Sequence, residues 1–263
     1  MYRYRRGVAA PRLAEIAEEP GLWLPDDGQR ELIALDGLTV ARYAGSWAVE
    51  RLRLRSGTVD RALSEVRELA RSRRTHEVSW WVSGRSKPGD LEQQLLARGL
   101  VPDESEQELT TLTIDRRPDG DPEVEVLRVE TFADYLRAVE IDWEVFDIPR
   151  STRVQRRAAA PDVWRRQVAL GNVVYHLAIV AGEAAGFART VLTPAGGLML
   201  GGATLRRARG RGVYTSLVHA RWAEVTARGV PGLGTAAGSM SGPILRKLGF
   251  AEHGRVRLLL DRL

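Results

Sequence analysis

The sequence predicts a mixed α/β (α+β) protein made of two halves of similar design. Strand-like apolar stretches and amphipathic helical stretches follow one another in an irregular order, which is typical of α+β or three-layer α/β packing. Residues 95–100 (LLARGL) are echoed 150 residues later by residues 245–250 (LRKLGF), each at the end of a predicted helix. Residues 116–122 (RRPDGDP) have the charge, proline and glycine content of a linker. We therefore expect one domain over residues 1–117 and a second over residues 123–263.

The elements of the first half follow from apolar spacing and from residues that begin or end helices. Apolar residues between Val59 and Leu69 recur at the period of an amphipathic helix. Asp90 suits the N-cap of a later helix, and Gly99 ends that helix. We predict helices over residues 14–19, 59–73 and 90–98, and strands over residues 32–43, 48–54, 76–82 and 108–114.

The second half repeats this mixture with longer helices. Thr131 suits the cap of its first helix, and Pro149 separates that helix from the next. A further amphipathic stretch begins at Val213. We predict helices over residues 132–145, 153–170 and 213–227, a short helix ending at residues 244–250, and strands over residues 124–129, 173–180, 185–192, 198–205, 232–237 and 255–260.

A glycine- and arginine-rich turn lies between the last long strand and the helix of the second half. The apolar run 198–205 leads into residues 207–212 (RARGRG). Gly210 and Gly212 allow the backbone to approach a ligand closely, and the unpaired N–H groups at the start of a helix attract anions. Because no Gly-Lys-Ser/Thr triplet and no third glycine follow, the turn is neither a Walker loop nor a dinucleotide fingerprint. It predicts a site for a phosphate or a diphosphate.

Two motifs of the second half resemble a known family. Residues 207–212 match the Arg-x-x-Gly-x-Gly signature of the GNAT (Gcn5-related) N-acetyltransferases, and residues 244–250 (ILRKLGF) resemble the Leu-Tyr-x-Lys-x-Gly-Phe ending of that family's last helix. The resemblance covers roughly residues 124–263. It implies a mixed, mainly antiparallel central sheet flanked by helices. Through the internal repeat, it also implies a second, degenerate GNAT-like domain in the first half.

The resemblance implies acetyl-CoA as co-substrate and no metal. The backbone of residues 203–205 would pair with the pantetheine arm like an added strand, and the amides of residues 209–214 would hold the diphosphate. Two serines of the following loop would bind pantetheine or a water molecule, although Ser241 suits a helix N-cap equally well. A surface turn with solvated arginines is the structural alternative. The cofactor-binding residues implied are Ala203, Thr204, Leu205, Arg207, Arg209, Gly210, Arg211, Gly212, Val213, Tyr214, Ser239 and Ser241.

Acyl transfer to an amine also needs a base and an acid. Because the sequence has no cysteine, an acyl-cysteine intermediate is impossible, and direct attack of the amine in a ternary complex is expected. Many members of the resembled family protonate the leaving thiolate with a tyrosine on the last helix; the matching residue here is Leu245, which leaves Tyr214 as the alternative acid. The candidate bases are Glu144, Asp147 and His176. An aspartate placed like Asp147 is more often a turn or cap residue, and a histidine placed like His176 is more often packed and hydrogen-bonded than a base. A water chain with no dedicated base would fit too.

The first half carries a weaker version of the anion turn. Residues 57–62 (GTVDRA) precede its amphipathic helix, with one glycine where two are expected. Asp60 would repel a phosphate. We therefore predict that the first half binds no cofactor, stabilises the second half and shapes one wall of the acceptor cleft.

Composition narrows the class of protein further. The net charge is +5, but the arginines are scattered among acidic residues rather than gathered in a basic tract, so we do not expect nucleic acid as a partner. The four histidines lack metal-ligand spacing, and no apolar run is long enough to cross a membrane. We expect a cytoplasmic N-acetyltransferase acting on the amine of a small molecule or a protein. The alternatives are a non-catalytic acyl-CoA sensor and a basic nucleic-acid-binding module; the oligomeric state stays open.

Overall fold

The first half forms a mainly antiparallel sheet with helices packed against it. The computed structural model describes residues 13–26, 28, 30–43, 46–105 and 108–263. The predicted strand 32–43 is wrong in one respect, because it is a hairpin that turns at Gly37, whose φ is +78°. A side chain there would also meet the carbonyl oxygen of Arg53 at 2.8 Å. The elements are α1 (Leu13–Glu18), β1 (Glu31–Leu35), β2 (Leu38–Tyr43), β3 (Ser46–Glu50), α2 (Val59–Ser72), β4 (Glu77–Ser83), α3 (Leu91–Leu96), β5 (Val101–Pro102) and β6 (Glu108–Ile114). Among the described residues of this half, only strands β3 and β4 pair in parallel, and helices α2 and α3 pack against the sheet.

The second half follows the predicted order of elements. Thr131 caps the first helix, since its hydroxyl accepts a hydrogen bond of 3.1 Å from the N–H of Asp134. The next helix begins three residues earlier than expected, directly after Pro149. The elements are β7 (Glu125–Arg128), α4 (Phe132–Val145), α5 (Arg150–Leu170), β8 (Val173–Val180), β9 (Glu183–Thr193), β10 (Gly196–Thr204), α6 (Val213–Ala227), β11 (Leu233–Ala237), α7 (Gly242–Lys247) and β12 (Ala251–Arg262).

The strands of the described residues form one sheet in which the two halves exchange their last strands. The order is β1-β2-β3-β4-β12-β6-β11-β10-β9-β8-β7, with β5 paired to β12. Strand β12 of the second half therefore lies against β4 of the first, and β6 of the first half lies against β11 of the second. Each half is completed by a strand of the other, so the sheet runs through both. The domain limits 1–117 and 123–263 stay a prediction.

An ion pair joins the two halves at the exchanged strand β12. Arg67 of α2 holds the carboxylate of Asp261 of β12 with two N–H···O bonds of 2.9 and 2.8 Å, and Asp261 is only 1% exposed. A planar guanidinium matches a carboxylate in this two-point geometry. Helix α2 of the first half is thereby joined to the last strand of the second half.

In the second half, helices cover both faces of the sheet. Tyr175 and Leu177 of β8 pack towards α4 and α5, whereas Ala178 belongs to the cluster that packs against α6. Side chains alternate along a strand, so α4 and α6 lie on opposite faces. Within the described residues no helix combines the length and apolar composition needed to span a bilayer, and no group of three potential metal ligands comes together.

Candidate functional site: a gap between two parallel strands

Strands β10 and β11 separate shortly after they begin. They pair in parallel only at Gly197 with Leu233 and Leu198 with Gly234. Strand β10 then bulges against β9 between Met199 and Gly202. Beyond this bulge no strand of the described residues pairs with the β10 edge that faces β11, so the sheet opens into a gap.

The free edge of β10 presents backbone groups to this gap. On its other edge β10 is held by β9, as in the 2.9 Å bond from the N–H of Leu205 to the carbonyl of Ala185. In an antiparallel ladder the N–H groups of successive residues point to opposite sides. The backbone N–H and C=O of Thr204 therefore point into the gap, where the sequence predicted pairing with an extended ligand.

The glycine turn lies at the end of the same strand. After a 3-10 turn (Arg206–Ala208), Gly210 and Gly212 take φ values of +72° and +68°, which are left-handed values that glycine adopts without strain. Among the described residues, none of the backbone N–H groups of residues 210–215 has a hydrogen-bond partner. They lie at the positive end of α6, so the turn is a preformed cradle for an anion.

The predicted arginines surround this cradle on the surface. Arg209 and Arg211 are exposed. Arg207 lies 3.6 Å from a carboxylate oxygen of Glu144 and 3.9 Å from one of Glu183, both exposed. Such exposed pairs contribute little free energy, so Arg207 can exchange them for a phosphate.

The chain entering the second half packs against the cradle. Ser216 of α6 accepts bonds of 2.9 and 3.1 Å from the N–H groups of Glu123 and Val124. This places the side chain of Glu123 against Gly212, where a Cβ would meet it at 2.6 Å. By contrast, a Cβ at Gly210 would meet nothing within 4 Å.

Tyr214 reaches from the cradle to the start of α7. Its side chain packs against the apolar cluster that contains Met199 and Leu245, and its hydroxyl is hydrogen-bonded to Ser241. Burial raises the pKa of Tyr214, and nearby Arg221 and the bond from Ser241 oppose that rise. The tyrosine therefore stays protonated at neutral pH. Leu245 is fully buried, and Ser239 is exposed.

A buried arginine supports the β10 bulge from the α6 side. Arg221 is 2% exposed, and one of its Nη atoms donates to the carbonyls of Gly201 and Arg189, the latter at 3.2 Å. Burial lowers its pKa to about 10, which leaves it charged at neutral pH. The bulge is thus held by a charged donor rather than by strand pairing.

On the α4 side, the bulge borders a polar cavity of about 100 Å³. Its polar side chains are Asp142 of α4, Tyr175 of β8 and Arg189 of β9, and Gly201 of the bulge forms part of its lining. Arg189 donates to the carbonyl of Leu200 at 2.9 Å and is hydrogen-bonded to the hydroxyl of Tyr175. Burial raises the pKa of Asp142, while Arg189 and Arg156 lower it.

The cavity does not include any of the three predicted bases. Glu144 and Asp147 are exposed and do not line it. His176 lies on the opposite face of β8 from Tyr175, with Nε2 3.9 Å from Glu224, and burial lowers its pKa to about 4. Sequence reasoning missed Asp142, although that residue lies seven positions after Tyr135 and so shares its inward helix face.

In the first half, the chain itself occupies the corresponding gap. Strands β3 and β4 also pair in parallel over two residues. However, Lys87 then donates from its N–H to the carbonyl of Leu52 at 3.0 Å and accepts a 3.1 Å bond from the N–H of Leu54. This backbone pairing fills the edge that stays free in β10.

No protein-family model matches the sequence, and no curated protein matches it. Solved structures do match. A GCN5-related N-acetyltransferase from Kribbella flavida is 15% identical over 96% of both chains, with a TM-score of 0.71. A tandem GNAT protein from the clavulanic acid biosynthesis pathway, described without AcCoA, is 20% identical over 97% of this chain and 89% of its own, with a TM-score of 0.63. A GCN5-related N-acetyltransferase from Sphaerobacter thermophilus is 18% identical over 86% of this chain and 76% of its own, with a TM-score of 0.57.

These matches show that the chain has the fold of GNAT acetyltransferases, and that one similar protein is a tandem member. The resemblance stated from the sequence is confirmed at the level of the fold, as is the predicted fold class.

Proposed function

We propose that this protein is an acetyl-CoA-dependent N-acyltransferase whose second half carries the reaction. The observation that supports this most directly is the continuity of the free β10 edge with the cradle of unpaired amides at residues 210–215. An extended arm ending in a diphosphate fits both features, because the arm pairs with the strand and the diphosphate accepts from the amides.

The geometry suggests where the thioester would lie. From Leu205 back to Gly201 is four residues of strand, or about 13 Å, a span comparable with an extended pantetheine arm. The thioester would then reach the bulge, between Tyr214 on the α6 side and the polar cavity on the α4 side. The acceptor amine would approach from the cavity.

The reaction would proceed by direct attack. The neutral amine forms a bond to the carbonyl carbon of the thioester, and the carbon–sulfur bond breaks to release the thiolate of CoA. Tyr214 donates its hydroxyl proton to that thiolate, and water carries the proton lost by the attacking nitrogen to the tyrosine phenolate. Tyr214 would thus replace the acid missing at Leu245.

Thiol release tests this function. Purified protein is incubated with acetyl-CoA and a panel of amines, and CoA binding is measured in parallel by calorimetry. We expect one CoA per chain and amine-dependent thiol release. Binding of CoA without acetylation of any amine would support the acyl-CoA sensor instead. A failure to bind CoA, combined with salt-dependent binding of DNA or RNA, would support the nucleic-acid-binding module.

A further inference from the structure

The polar cavity beside the β10 bulge is lined by two side chains of opposite charge whose hydrogen-bonding groups are not all paired within the described residues. The carboxylate of Asp142 has no hydrogen bond or ion pair within the described part of the chain. The Nε of Arg189 donates to the carbonyl of Leu200, and the guanidinium makes one further bond, to Tyr175. Its other N–H groups therefore remain available to a ligand. The other lining residues are Val139, Phe187 and Gly201, which carry no charge.

The walls of this cavity are rigid and restrict its size. Tyr135 stacks on Trp164 with ring centroids 5.1 Å apart and meets Tyr175 edge-on at 5.2 Å. These rings fix Tyr175, and through it the guanidinium of Arg189. From the first half, Tyr43 of β2 interacts electrostatically with Arg189, but it is not one of the residues that line the cavity. A cavity of about 100 Å³ holds a small polar head group but no long chain.

We propose that the acceptor is a small zwitterion of the α-amino acid class, with its ammonium group on Asp142 and its carboxylate on Arg189. This inference rests on the proposed function and adds the substrate class. Two opposite charges in one small cavity match a ligand whose two charged groups are attached to the same carbon atom. A simple amine would leave Arg189 without a counter-charge, and a peptide or protein N-terminus lacks the nearby carboxylate. Either ligand would lose binding free energy, because a charged side chain removed from water without a partner is unfavourable.

The first test compares matched acceptors. With saturating acetyl-CoA, thiol release is measured for the common α-amino acids, for their carboxamides and for the corresponding decarboxylated amines. For the best amino acid we expect kcat/KM at least about tenfold above that of its amide and of its decarboxylated amine. Equal rates for all three would overturn the zwitterion proposal and leave the acyltransferase function standing.

The second test changes each charge separately. Asp142→Asn keeps the shape and should lower kcat/KM for amino acids and simple amines alike. Arg189→Gln should abolish the preference for the amino acid over its amide. Asp162→Asn, the same exchange at an exposed carboxylate of the neighbouring helix α5, is the matched control and should change neither. CoA affinity, measured by calorimetry, should be the same in Asp142→Asn as in the parent protein, which separates loss of the acceptor site from loss of the fold.

Calorimetry of amino acids against the CoA-bound protein gives a reading that does not need turnover. Binding that disappears in Asp142→Asn would support the site even if no acetyl group moved, in which case the proposed function alone would fail. If no amino acid either binds or is acetylated, or if Asp142→Asn behaves like Asp162→Asn, the site assignment is overturned.

Discussion

The two halves share an order of elements and differ in what lies along one strand edge. In both, two parallel strands pair over two residues and then part. In the first half, the backbone of Lys87 fills the edge by bonding to Leu52 and Leu54. In the second half, no backbone hydrogen bond joins residues 201–205 to the loop 238–241, so the edge stays available. The comparison teaches that the same scaffold leaves a strand edge open to an extended ligand only where the chain does not satisfy its own backbone.

The two glycine turns differ in the same sense. In the first half, the amide of Thr58 already donates to the carbonyl of Arg55 at 3.1 Å, and Asp60 of the first helical turn adds a negative charge. That charge is held by Arg98, with an N···O distance of 2.6 Å. In the second half, the place of Asp60 is taken by Tyr214, the second residue of α6. A repelling group in one half thus corresponds to the proposed acid in the other.

Arg67 and Arg221 extend the comparison to the helices. Each lies eight residues after the first residue of its helix, α2 or α6. Arg67 meets the carboxylate of Asp261, whereas Arg221 meets only backbone carbonyls and leaves its Nε without a partner. One arginine joins the halves, and the other supports the bulge at the gap.

The largest effect is expected at the residue that differs most between the helix starts. Tyr214→Phe removes the proposed proton donor, so kcat should fall roughly 10³-fold, with little change in the affinity for CoA. Asp60→Asn, at the corresponding position of α2, should leave kcat unchanged. Steady-state thiol release and CoA calorimetry measure both. An unchanged kcat in Tyr214→Phe would mean that water protonates the thiolate.

The next effect concerns the strand exchange. Arg67→Ala leaves Asp261 buried without its partner, which should lower the free energy of unfolding by about 3 kcal/mol. Urea unfolding followed by circular dichroism measures it. Arg262→Ala is the control, because its pair with Glu77 is exposed at 3.4 Å and should contribute less than about 0.5 kcal/mol. Equal losses in the two variants would show that the Arg67 pair does not stabilise the exchange.

The glycine turns offer a closely matched pair of substitutions. Gly210 and Gly57 both have left-handed φ values, +72° and +81°, and at neither would a Cβ meet an atom within 4 Å. Valine strains the backbone at either position. Gly210→Val should reduce the affinity for CoA roughly 100-fold by displacing the amides proposed to bind the diphosphate. Gly57→Val should cost similar stability and leave that affinity unchanged. Calorimetry that gave equal CoA affinities for the two variants would contradict the assignment of the cradle to the second half.

Local signals in the sequence predict individual helices and strands better than they predict which of these elements pair with one another. The bounds of α4 and α6 agree with the sequence, because a cap at Thr131 and the glycines before Val213 mark their starts. The strand exchange leaves no local signal, since pairing of β12 with β4 joins residues far apart in the chain. The bulge in β10 also has no local signal, because it lies within an apolar run of small residues.

The same limit applies to the site. The cradle follows from glycine spacing, which acts within a few residues of chain. The cavity depends on Asp142, Tyr175 and Arg189, which come from three elements. Helix geometry could have favoured Asp142 over Glu144: relative to Tyr135, positions seven and nine residues later lie on nearly opposite sides of a helix. Arg189 could not be recognised, because only tertiary packing distinguishes it from the other arginines.

The smallest effect concerns a buried carboxyl of the first half. Glu50, at the end of β3, is 1% exposed; its Oε1 accepts a 2.9 Å bond from the N–H of Gly21, and its Oε2 has no partner within the described residues. Burial raises its pKa to about 8, opposed by the amide of Gly21. The folded protein therefore keeps this proton between about pH 4.5 and 8, while the unfolded chain releases it.

Stability should consequently fall as pH rises through that window, because the unfolded state binds fewer protons there. The contribution of Glu50 is at most about 1.4 kcal/mol per pH unit, measured as the change in unfolding free energy between pH 6 and 7. Glu50→Gln keeps an acceptor for Gly21 but cannot ionise, so its unfolding free energy should fall less steeply with pH than that of the parent protein. Parallel pH profiles for the two would mean that water reaches this carboxyl. The second half has no counterpart at this place, since β10 continues there into its bulge, and the pH-dependent loss should therefore leave CoA binding by the remaining folded protein unchanged.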